Sequence, residues 1–388
     1  GRRHGARAMG AAVPSPPSAR TAPPLGWGDA LGAVAVLTFA ALAWTRWVAN
    51  PDFVYHWGLK AHRFLLAGGV DYGYLSRPWS WVLHPDYPNL FPELLSVTSW
   101  CAGAWDERGL LLWSPLLLLL TLVVMRETLA AHGVPPARRQ AVLAAAAFAL
   151  AGFGIGHFMA GAADWLPALA LAAALPALLA PAAPSTDAHL GICAAFAAAG
   201  KIEAVALAAL LVLTQLGRHV LGRQRRAADS RSAIGGLLAL IGPPLLVVAP
   251  WVYAVTAHGL YQVGNAGAPG LRQILRAAPA LWQAAATPAW NGMPYLLLLL
   301  PLLFRVPRLR PFATVATLQL AFDLLTYVIS PFEDVGFLVL ASFARLALHL
   351  LPATLAAAAI AWLASPPAGA AAPAGAPLAP AAHAGGGG

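Results

Sequence analysis

Charged residues are scarce in this sequence. Only 10% of its 388 residues are Asp, Glu, Lys or Arg, whereas 59% are hydrophobic. Because a soluble surface needs roughly a quarter charged residues, this composition excludes a soluble globular protein and predicts an integral membrane protein. The net charge of +9 gives no indication of nucleic-acid binding. In a membrane protein the positions of the basic residues along the chain are informative instead, because they indicate orientation.

Cysteine, lysine and phosphate-binding loops are scarce or missing as well. The two cysteines, Cys101 and Cys193, are too few for a disulfide framework. Lysine occurs only at Lys60 and Lys201, although the chain has 24 basic residues. The sequence has no glycine-rich phosphate loop and no internal repeat, which disfavours nucleotide binding and a transporter built from inverted repeats.

Long apolar segments are abundant instead. A bilayer core takes about 20 apolar residues per helix, so the sequence predicts an all-α fold, a polytopic bundle of about ten transmembrane helices. The predicted spans are 27–48, 108–125, 141–158, 164–181, 189–200, 203–217, 234–257, 292–305, 311–330 and 346–364. We expect one transmembrane domain over 27–364, between a disordered cytoplasmic tail at 1–26 and a disordered tail at 365–388.

The arginines predict how the bundle is oriented. With the amino end in the cytoplasm, every charged inner connection is rich in arginine, as the positive-inside rule requires. These arginines are Arg126, Arg138, Arg139, Arg218, Arg223, Arg225, Arg226, Arg231, Arg305, Arg308 and Arg310. Residues 189–217 form either a tight hairpin or a broken helix, and the pattern holds only if they cross twice, which favours the hairpin. We therefore expect a multi-pass protein of the inner (plasma) membrane with both termini cytoplasmic and most acidic residues on the extracytoplasmic face.

The first extracytoplasmic loop, 49–107, is the longest connection and begins with a cluster of polar residues. It contains amphipathic segments near 53–67 and 90–104 that are typical of short helices at a membrane interface. Asp52 either caps the next helix or acts as a general base. His56 and Lys60 follow four and eight residues later, on the same face if the segment is helical.

Other candidate residues lie in later connections. The proline-rich segment 84–93, with His84 and Tyr87, either forms a structural corner or positions a substrate. Asp164 either caps the fourth span or faces the same cavity as Asp52.

Two basic residues are candidates for phosphate binding. Lys201 with Glu203 is either a mutually neutralising pair or a phosphate site at membrane depth. Arg345 opens the last span, either as an interfacial anchor or as a guanidinium that binds phosphate.

Taken in order, these motifs resemble the GT-C class of glycosyltransferases. The resemblance is to bacterial relatives of dolichyl-phosphate-mannose protein mannosyltransferases and to lipid A sugar transferases, and it covers roughly residues 27–360. The matching segments are Asp52 with Tyr55–Ala61, Tyr87–Pro88, Ala163–Asp164, Lys201–Glu203, Ser342–Arg345 and His349–Pro352. The sequence departs from the class in lacking a second acid beside Asp52 and a glycine after Glu203, and we expect no sizeable extracytoplasmic domain after the last span.

The resemblance implies a GT-C-like fold, an activity and a site. Asp52 would be the catalytic carboxylate, and Lys60, Lys201 and Arg345 would bind the phosphate of a polyprenyl-phosphate-linked sugar. His56, His84, Tyr87, Asp164 and Glu203 would line the cavity for the substrates. The acceptor would be a lipid or glycan of the cell envelope, and no nucleic acid would take part. We expect no cofactor, although the resemblance does not decide whether the reaction needs a divalent metal.

Two other functions compete with the transferase. In a transporter or lipid flippase, Lys201, Glu203 and Asp323 would form a path through the membrane, which predicts ionisable residues spread across its depth. In a non-catalytic scaffold subunit of an envelope complex, the polar residues would only cap helices.

Overall fold

The structure is a computed structural model that describes residues 24–223, 230–260, 270–287, 293–330 and 334–364. Within these ranges the protein is all-helical, and its extended segments pair only at an isolated bridge between Ala49 and Ala160. The predicted all-α class is therefore confirmed. The two predicted tails lie outside the described residues, apart from residues 24–26.

Ala- and Leu-rich segments form the helices, since an α-helix satisfies its own backbone polar groups in an apolar environment. The helices that build the bundle are α1 (Trp27–Trp44), α6 (Trp113–Ala131), α7 (Pro136–Gly156), α8 (Trp165–Leu179), α9 (Pro184–Gly200), α10 (Glu203–Arg223), α11 (Ser230–Ala257), α14 (Arg310–Val328), α15 (Val335–Leu348) and α16 (Leu351–Leu363). The connecting segments contain α2 (Gly58–Ala67), α3 (Tyr72–Leu75), α4 (Leu90–Ala102), α5 (Glu107–Leu111), α12 (Leu271–Ala286) and α13 (Leu300–Leu303).

Six helices in the described ranges are long and apolar enough to cross a membrane. They are Trp27–Trp44, Glu107–Ala131, Pro136–Gly156, Glu203–Leu221, Ile234–Ala257 and Pro307–Val328. The pair α15 and α16, bent by 49°, adds a seventh if it is counted as one span. The predicted ten spans are not confirmed, because α8 and α9 have only 15 and 17 residues, fewer than the roughly 20 that a bilayer core takes.

Helices α9 and α10 form an antiparallel hairpin. Asp187, near the start of α9, accepts hydrogen bonds from Gln215 (2.6 Å) and His219 (2.8 Å), near the end of α10. Of the two alternatives for 189–217, the chain therefore adopts the hairpin, with Lys201 and Ile202 at its tip.

Contacts between helix termini distinguish two ends of the bundle. At one end, Asp29 near the start of α1 pairs with Arg126 near the end of α6 (3.1 Å). Arg138, at the start of α7, donates there to the carbonyl of Leu363, the last residue of α16 (3.2 Å). We call this the arginine end. The opposite end, which holds the α9–α10 turn, is called the network end.

The first loop folds over the network end instead of extending away from it. Its amphipathic segments form α2 and α4, which pack against each other. The ring of Tyr72 stacks on His258 after α11, with centroids 4.2 Å apart. The indole nitrogen of Trp251 in α11 donates to the carbonyl of Asp86 (2.9 Å). The loop is therefore fixed against α11, close to the turns that carry the candidate residues.

Candidate functional site

Side chains from four separate connections meet at the network end in one group of charges. We call this group the ion-pair network, and its members are Asp52, Asp164, Lys201, Glu203, Arg345 and His349. Asp52 follows α1, Asp164 precedes α8, the α9–α10 turn supplies the next two residues, and the break between α15 and α16 supplies the last two.

A short backbone pairing holds Asp52 in place. The chain after α1 runs beside the α7–α8 connection, where the N–H of Asn50 donates to the carbonyl of Ala160 (2.7 Å). Gly161 lies next to this pairing with φ of +80°, and a Cβ there would meet the ring of Phe53 at 2.6 Å. Only glycine accepts both that backbone conformation and this close contact. The pairing brings the start of the first loop next to the start of α8.

Asp52 does not cap a helix. The side-chain oxygen of Asn50 accepts the N–H of Asp52 (2.8 Å), and the Asp52 carboxylate makes no capping bond. Instead, its Oδ2 lies 2.5 Å from Nη2 of Arg345, and its Oδ1 lies 3.6 Å from Nε2 of His56. The turn that follows, Phe53–Trp57, is a π-helix, a feature frequent at functional sites. One fifth of the Asp52 side chain remains exposed.

Asp164 is the buried centre of the network. Its side chain is 0% exposed and makes no capping bond to α8. Oδ1 accepts from Lys201 (2.6 Å) and contacts Nε2 of His349 (3.2 Å), and Oδ2 accepts from Nε of Arg345 (3.2 Å). One buried carboxylate therefore pairs with two cations, and Glu203 and Asp52 supply further negative charge to the same cations, as buried charges require.

The α9–α10 turn places Lys201 because Gly200 packs closely on α8. A Cβ at Gly200 would lie 3.0 Å from Cβ of Leu166, so the turn comes directly against the first residues of α8. The ammonium of Lys201 also lies 3.7 Å from Oε1 of Glu203. The hydroxyl of Tyr87 reaches the same oxygen (3.4 Å), which joins the first loop to the network.

Arg345 and His349 lie at the bend between α15 and α16. Arg345 is in the last turn of α15, and His349 follows that helix directly. The bend directs both side chains to Asp164, and Arg345 bridges Asp164 and Asp52. Arg345 is one-fifth exposed, whereas His349 is fully buried. The open edge of the network is thus formed by Asp52 and Arg345, together with Glu203, whose side chain is exposed to a similar extent.

Lys60 is near the network but does not belong to it. Its side chain is fully buried, and its ammonium donates to the backbone carbonyl of His84 (2.9 Å). Burial lowers the pKa of Lys60 to about 7, against the raising effect of Asp86 and Glu93. An inaccessible amine that is only partly charged at neutral pH is poorly suited to bind phosphate, so the structure gives this predicted role no support.

Three aromatic side chains form a series of ring contacts that ends next to Asp52. The ring of His84 lies 4.5 Å from that of His56 and 4.7 Å from that of Tyr87. His84 has φ of +47°, a strained value for a residue other than glycine, and the Lys60 bond to its carbonyl holds that turn. Burial, and then the neighbouring His56, lower the pKa of His84 to about 4. At neutral pH the imidazole of His84 and the phenol of Tyr87 are therefore uncharged.

A second polar group lies deeper in the bundle. The amide of Gln319 donates to Asp323 (2.8 Å) and to the backbone carbonyl of Glu203 (3.4 Å). Three buried acceptor oxygens of this group have no hydrogen-bond partner among the described residues. They are Oε2 of Glu203, Oε1 of Gln319 and Oδ2 of Asp323.

The arrangement offers two chemical capacities. Arg345 at the open edge, with Lys201 behind it, provides positive charge for an anion such as a phosphate. Asp52 beside them provides a carboxylate that can accept a proton. In the described ranges, no three His, Cys, Asp or Glu side chains are grouped to hold a metal ion.

Of the predicted site residues, the structure brings together Asp52, His56, His84, Tyr87, Asp164, Lys201, Glu203 and Arg345. Lys60 is excluded from this group. His349 was not predicted as a site residue, although it stands four residues after Arg345, the spacing that also relates His56 to Asp52. That repeated spacing is the signal that would have identified it.

Comparison of the chain with protein-family models, with curated proteins and with solved structures found no match.

Proposed function

We propose that the protein is a membrane glycosyltransferase that transfers a sugar from a polyprenyl-phosphate donor to a hydroxyl of a lipid or glycan acceptor. The observation that carries the proposal is the contact between Asp52 and Arg345, 2.5 Å apart at the open edge of the network. It brings together a carboxylate and a guanidinium, the two groups that an inverting transfer from a lipid phosphate would use as proton acceptor and phosphate-binding cation.

In the proposed reaction, Asp52 accepts the proton of the acceptor hydroxyl, and the hydroxyl oxygen attacks the anomeric carbon. The bond between that carbon and the phosphate oxygen breaks, and the electron pair leaves with the lipid phosphate. Arg345 and Lys201 stabilise the charge that develops there. Asp164 stays bound to both cations and keeps them directed towards the phosphate.

Two features of the network support this division of roles. Arg345 uses Nη2 for Asp52 and Nε for Asp164. An incoming phosphate that takes over Nη2 would release Asp52 to act as a base while the second bond still positions the guanidinium. Moreover, neither Asp52 nor Asp164 caps a helix, which removes the main structural explanation for these acids and disfavours a purely structural scaffold.

The test is a transfer assay with purified protein, a short-chain polyprenyl-phosphate hexose carrying a radiolabelled sugar, and a panel of lipid and glycan acceptors. Asp52→Asn should lower kcat at least about 100-fold, because general-base catalysis contributes that much or more. Arg345→Lys should raise the donor KM, because lysine does not reproduce the guanidinium fork.

Asp71→Asn is the matched control. Asp71 lies in the same loop and pairs with Arg63 (2.8 Å), away from the network. This variant should transfer sugar like the wild type. Equal rates for Asp52→Asn and Asp71→Asn, with both folded by thermal unfolding, would remove Asp52 as the base.

We further propose that the network end faces the extracytoplasmic side, as the arginine distribution supports. Cys101 is exposed in the first loop, and Cys193 is buried, so the wild-type chain carries its own reporter. A membrane-impermeant maleimide added to intact cells should label the protein, and Cys101→Ser should abolish labelling. Labelling only after the membrane is opened would reverse the orientation.

One observation favours a second candidate, a lipid flippase or transporter. The unpartnered oxygens near Asp323 lie inside the bundle, and Asp323 is 2% exposed. Buried ionisable residues in membrane helices often mark a transport path. Proteoliposomes with a fluorescent polyprenyl phosphate would test this: a flippase would move the lipid across the bilayer, and Asp323→Asn would stop it. We expect no such movement.

A further inference from the structure

The side chain of His56 is held in one orientation by the backbone of the first loop. Its Nδ1 makes a short hydrogen bond with the carbonyl of Val82. A carbonyl oxygen can only accept, so Nδ1 must carry the hydrogen in this contact. In the neutral ring the lone pair then belongs to Nε2. This nitrogen is the one that faces Asp52.

The contact between His56 and Asp52 therefore joins two acceptors. Nε2 of His56 lies 3.6 Å from Oδ1 of Asp52, and the other oxygen of that carboxylate is bound to Arg345. Two acceptors face each other favourably only if a hydrogen lies between them. Because both side chains are about one-fifth exposed, a hydroxyl group from outside the protein can provide that hydrogen.

Burial, more than the charges around it, leaves the imidazole of His56 neutral. The charged or titratable groups that face it are Asp52 and Lys60 from its own segment, His84 from the folded loop and Arg345 from α15. Burial lowers the pKa of His56 below its usual value, and the charge of Asp52 offsets this only in part. A neutral imidazole with a free lone pair is a competent proton acceptor at neutral pH.

We propose that His56 is a second catalytic residue, which shares with Asp52 the proton that leaves the acceptor hydroxyl. The inference rests on the proposed transfer reaction. The proton reaches Asp52 by way of His56. The O–H bond of the acceptor breaks, and its proton binds Nε2, while its oxygen bonds to the anomeric carbon and the lipid phosphate departs with the electron pair of the broken bond. The imidazolium then passes the proton from Nε2 to Oδ1 of Asp52, the base of the proposed reaction, and water removes it from there.

His56 and Asp52 together accept the proton better than either group could alone. Asp52 is held by Arg345, so one of its oxygens is already occupied. His56 has an unoccupied lone pair but no counter-charge of its own except Asp52. Asp52 therefore stabilises the imidazolium formed during the reaction.

The kinetic test compares His56→Gln with His62→Gln in the same transfer assay. His62 lies in α2 and stacks on Trp105, away from the network, so its replacement should leave the pH profile unchanged. Wild-type kcat/KM should fall as the pH drops through the pKa of His56. His56→Gln should lower kcat about 100-fold or more, abolish that acidic limb and leave the donor KM unchanged.

A structural role for His56 predicts a different result. Loss of stability or a raised KM, with the acidic limb of the profile intact, would overturn the proposal. Because Gln can still donate to the carbonyl of Val82, a merely structural contact should largely survive the substitution. Thermal unfolding of both variants shows whether they are folded.

A measurement without turnover separates this inference from the proposed function. In protein with ¹⁵N-labelled histidine, the NMR shifts of His56 should identify the tautomer with hydrogen on Nδ1. Asp52→Asn should lower the pKa of His56, because the charge of Asp52 raises it. Hydrogen on Nε2 at neutral pH would overturn the proposal even in an active transferase. The expected tautomer in a wild type that transfers no sugar would instead overturn the proposed function, and the catalytic role with it.

Discussion

The two ends of the bundle bind their cations in different ways. At the arginine end, Arg126 pairs with Asp29 (3.1 Å), but three other guanidinium groups donate to backbone carbonyls near the C-terminal ends of helices. Such bonds join Arg138 to Leu363, Arg308 to Ile360 and Arg218 to Ala177. At the network end, Lys201 and Arg345 bind carboxylates, and the central one, Asp164, is fully buried. Most of the cations at the arginine end therefore use a partner that every helix provides, whereas both cations of the network use carboxylates that the sequence had to supply separately.

This difference indicates at which end the charged residues can be explained by their contribution to folding alone. The last carbonyls of a helix lack internal partners and carry partial negative charge, so an arginine there stabilises the helix end wherever it lies. A buried carboxylate–cation cluster is different, because apolar residues of the same volume are often as stable or more stable. The network end therefore contains charges that the fold does not need, which is the physical basis for locating the function there.

Removal of Asp164 should produce the largest effect. Asp164→Ala leaves Lys201 and Arg345 inside the bundle without their shared carboxylate, and breaking a buried ion pair costs about 3 to 5 kcal/mol. The free energy of unfolding in mixed detergent micelles, measured by SDS titration, checks this value.

A second substitution shows whether the loss of stability in Asp164→Ala comes from the cations that are left without a carboxylate. Lys201→Met removes one of the two cations, so Asp164→Ala combined with Lys201→Met should be more stable than Asp164→Ala alone. Additive losses would mean that the ions are not coupled, and the contrast between the two ends would lose its explanation.

Gly161 should give the next largest effect, because it fixes the backbone of the network end. Gly161→Ala adds a Cβ at φ of +80° and 2.6 Å from the ring of Phe53. The left-handed conformation and the overpacking together should cost roughly 2 to 4 kcal/mol. Thermal and SDS unfolding measure the loss, and adding Phe53→Leu should recover the packing part but not the backbone part. If Gly161→Ala did not lower the stability, the close packing of the α7–α8 connection against Phe53 would be contradicted.

Much of this comparison was accessible from the sequence. The scarcity of charge predicted a helical membrane protein, and the requirement that arginines share one side predicted the α9–α10 hairpin. The grouping of Asp52, Asp164, Lys201 and Arg345 followed from placing each acid or cation next to the end of an apolar segment. Alternating helix direction then forces every second connection to the same end.

The parts that could not be predicted depend on how short segments fold against each other. Whether Lys60 faces the network depends on the turn at His84, whose carbonyl captures the ammonium. The number of spans could not be predicted either, because apolar composition does not determine helix length. Residues 292–305 read as one span, yet they include a 3-10 segment, Met293–Leu299, followed by the four-residue helix α13.

Lys60 sharpens the comparison because it lies at the network end but binds a carbonyl, as the arginines do at the other end. Its pKa is about 7 in the folded protein and about 10.4 in an unfolded chain. Between these values the unfolded chain binds more protons, so stability should rise with pH from 7 to about 10, with a slope of up to about 1.4 kcal/mol per pH unit.

The Lys60→Met variant is the reference for this measurement, since other groups titrate in the same range. The difference in unfolding free energy between wild type and Lys60→Met should change in favour of the wild type as the pH rises. A constant difference from pH 7 to 10 would show that the buried amine is not deprotonated in the folded protein.

The smallest effect is expected at the arginine end. Arg138 is exposed, and its guanidinium makes a bond of 3.2 Å to the carbonyl of Leu363. Water can replace this donor, so Arg138→Ala should cost less than about 1 kcal/mol in the free energy of unfolding. Raising the salt concentration should reduce even this loss, because exposed charges are screened, whereas the loss caused by Asp164→Ala should change little. If Arg138→Ala were as destabilising as Asp164→Ala, the arginine end would hold a structure as tightly coupled as the network, and the reason for assigning function to one end would disappear.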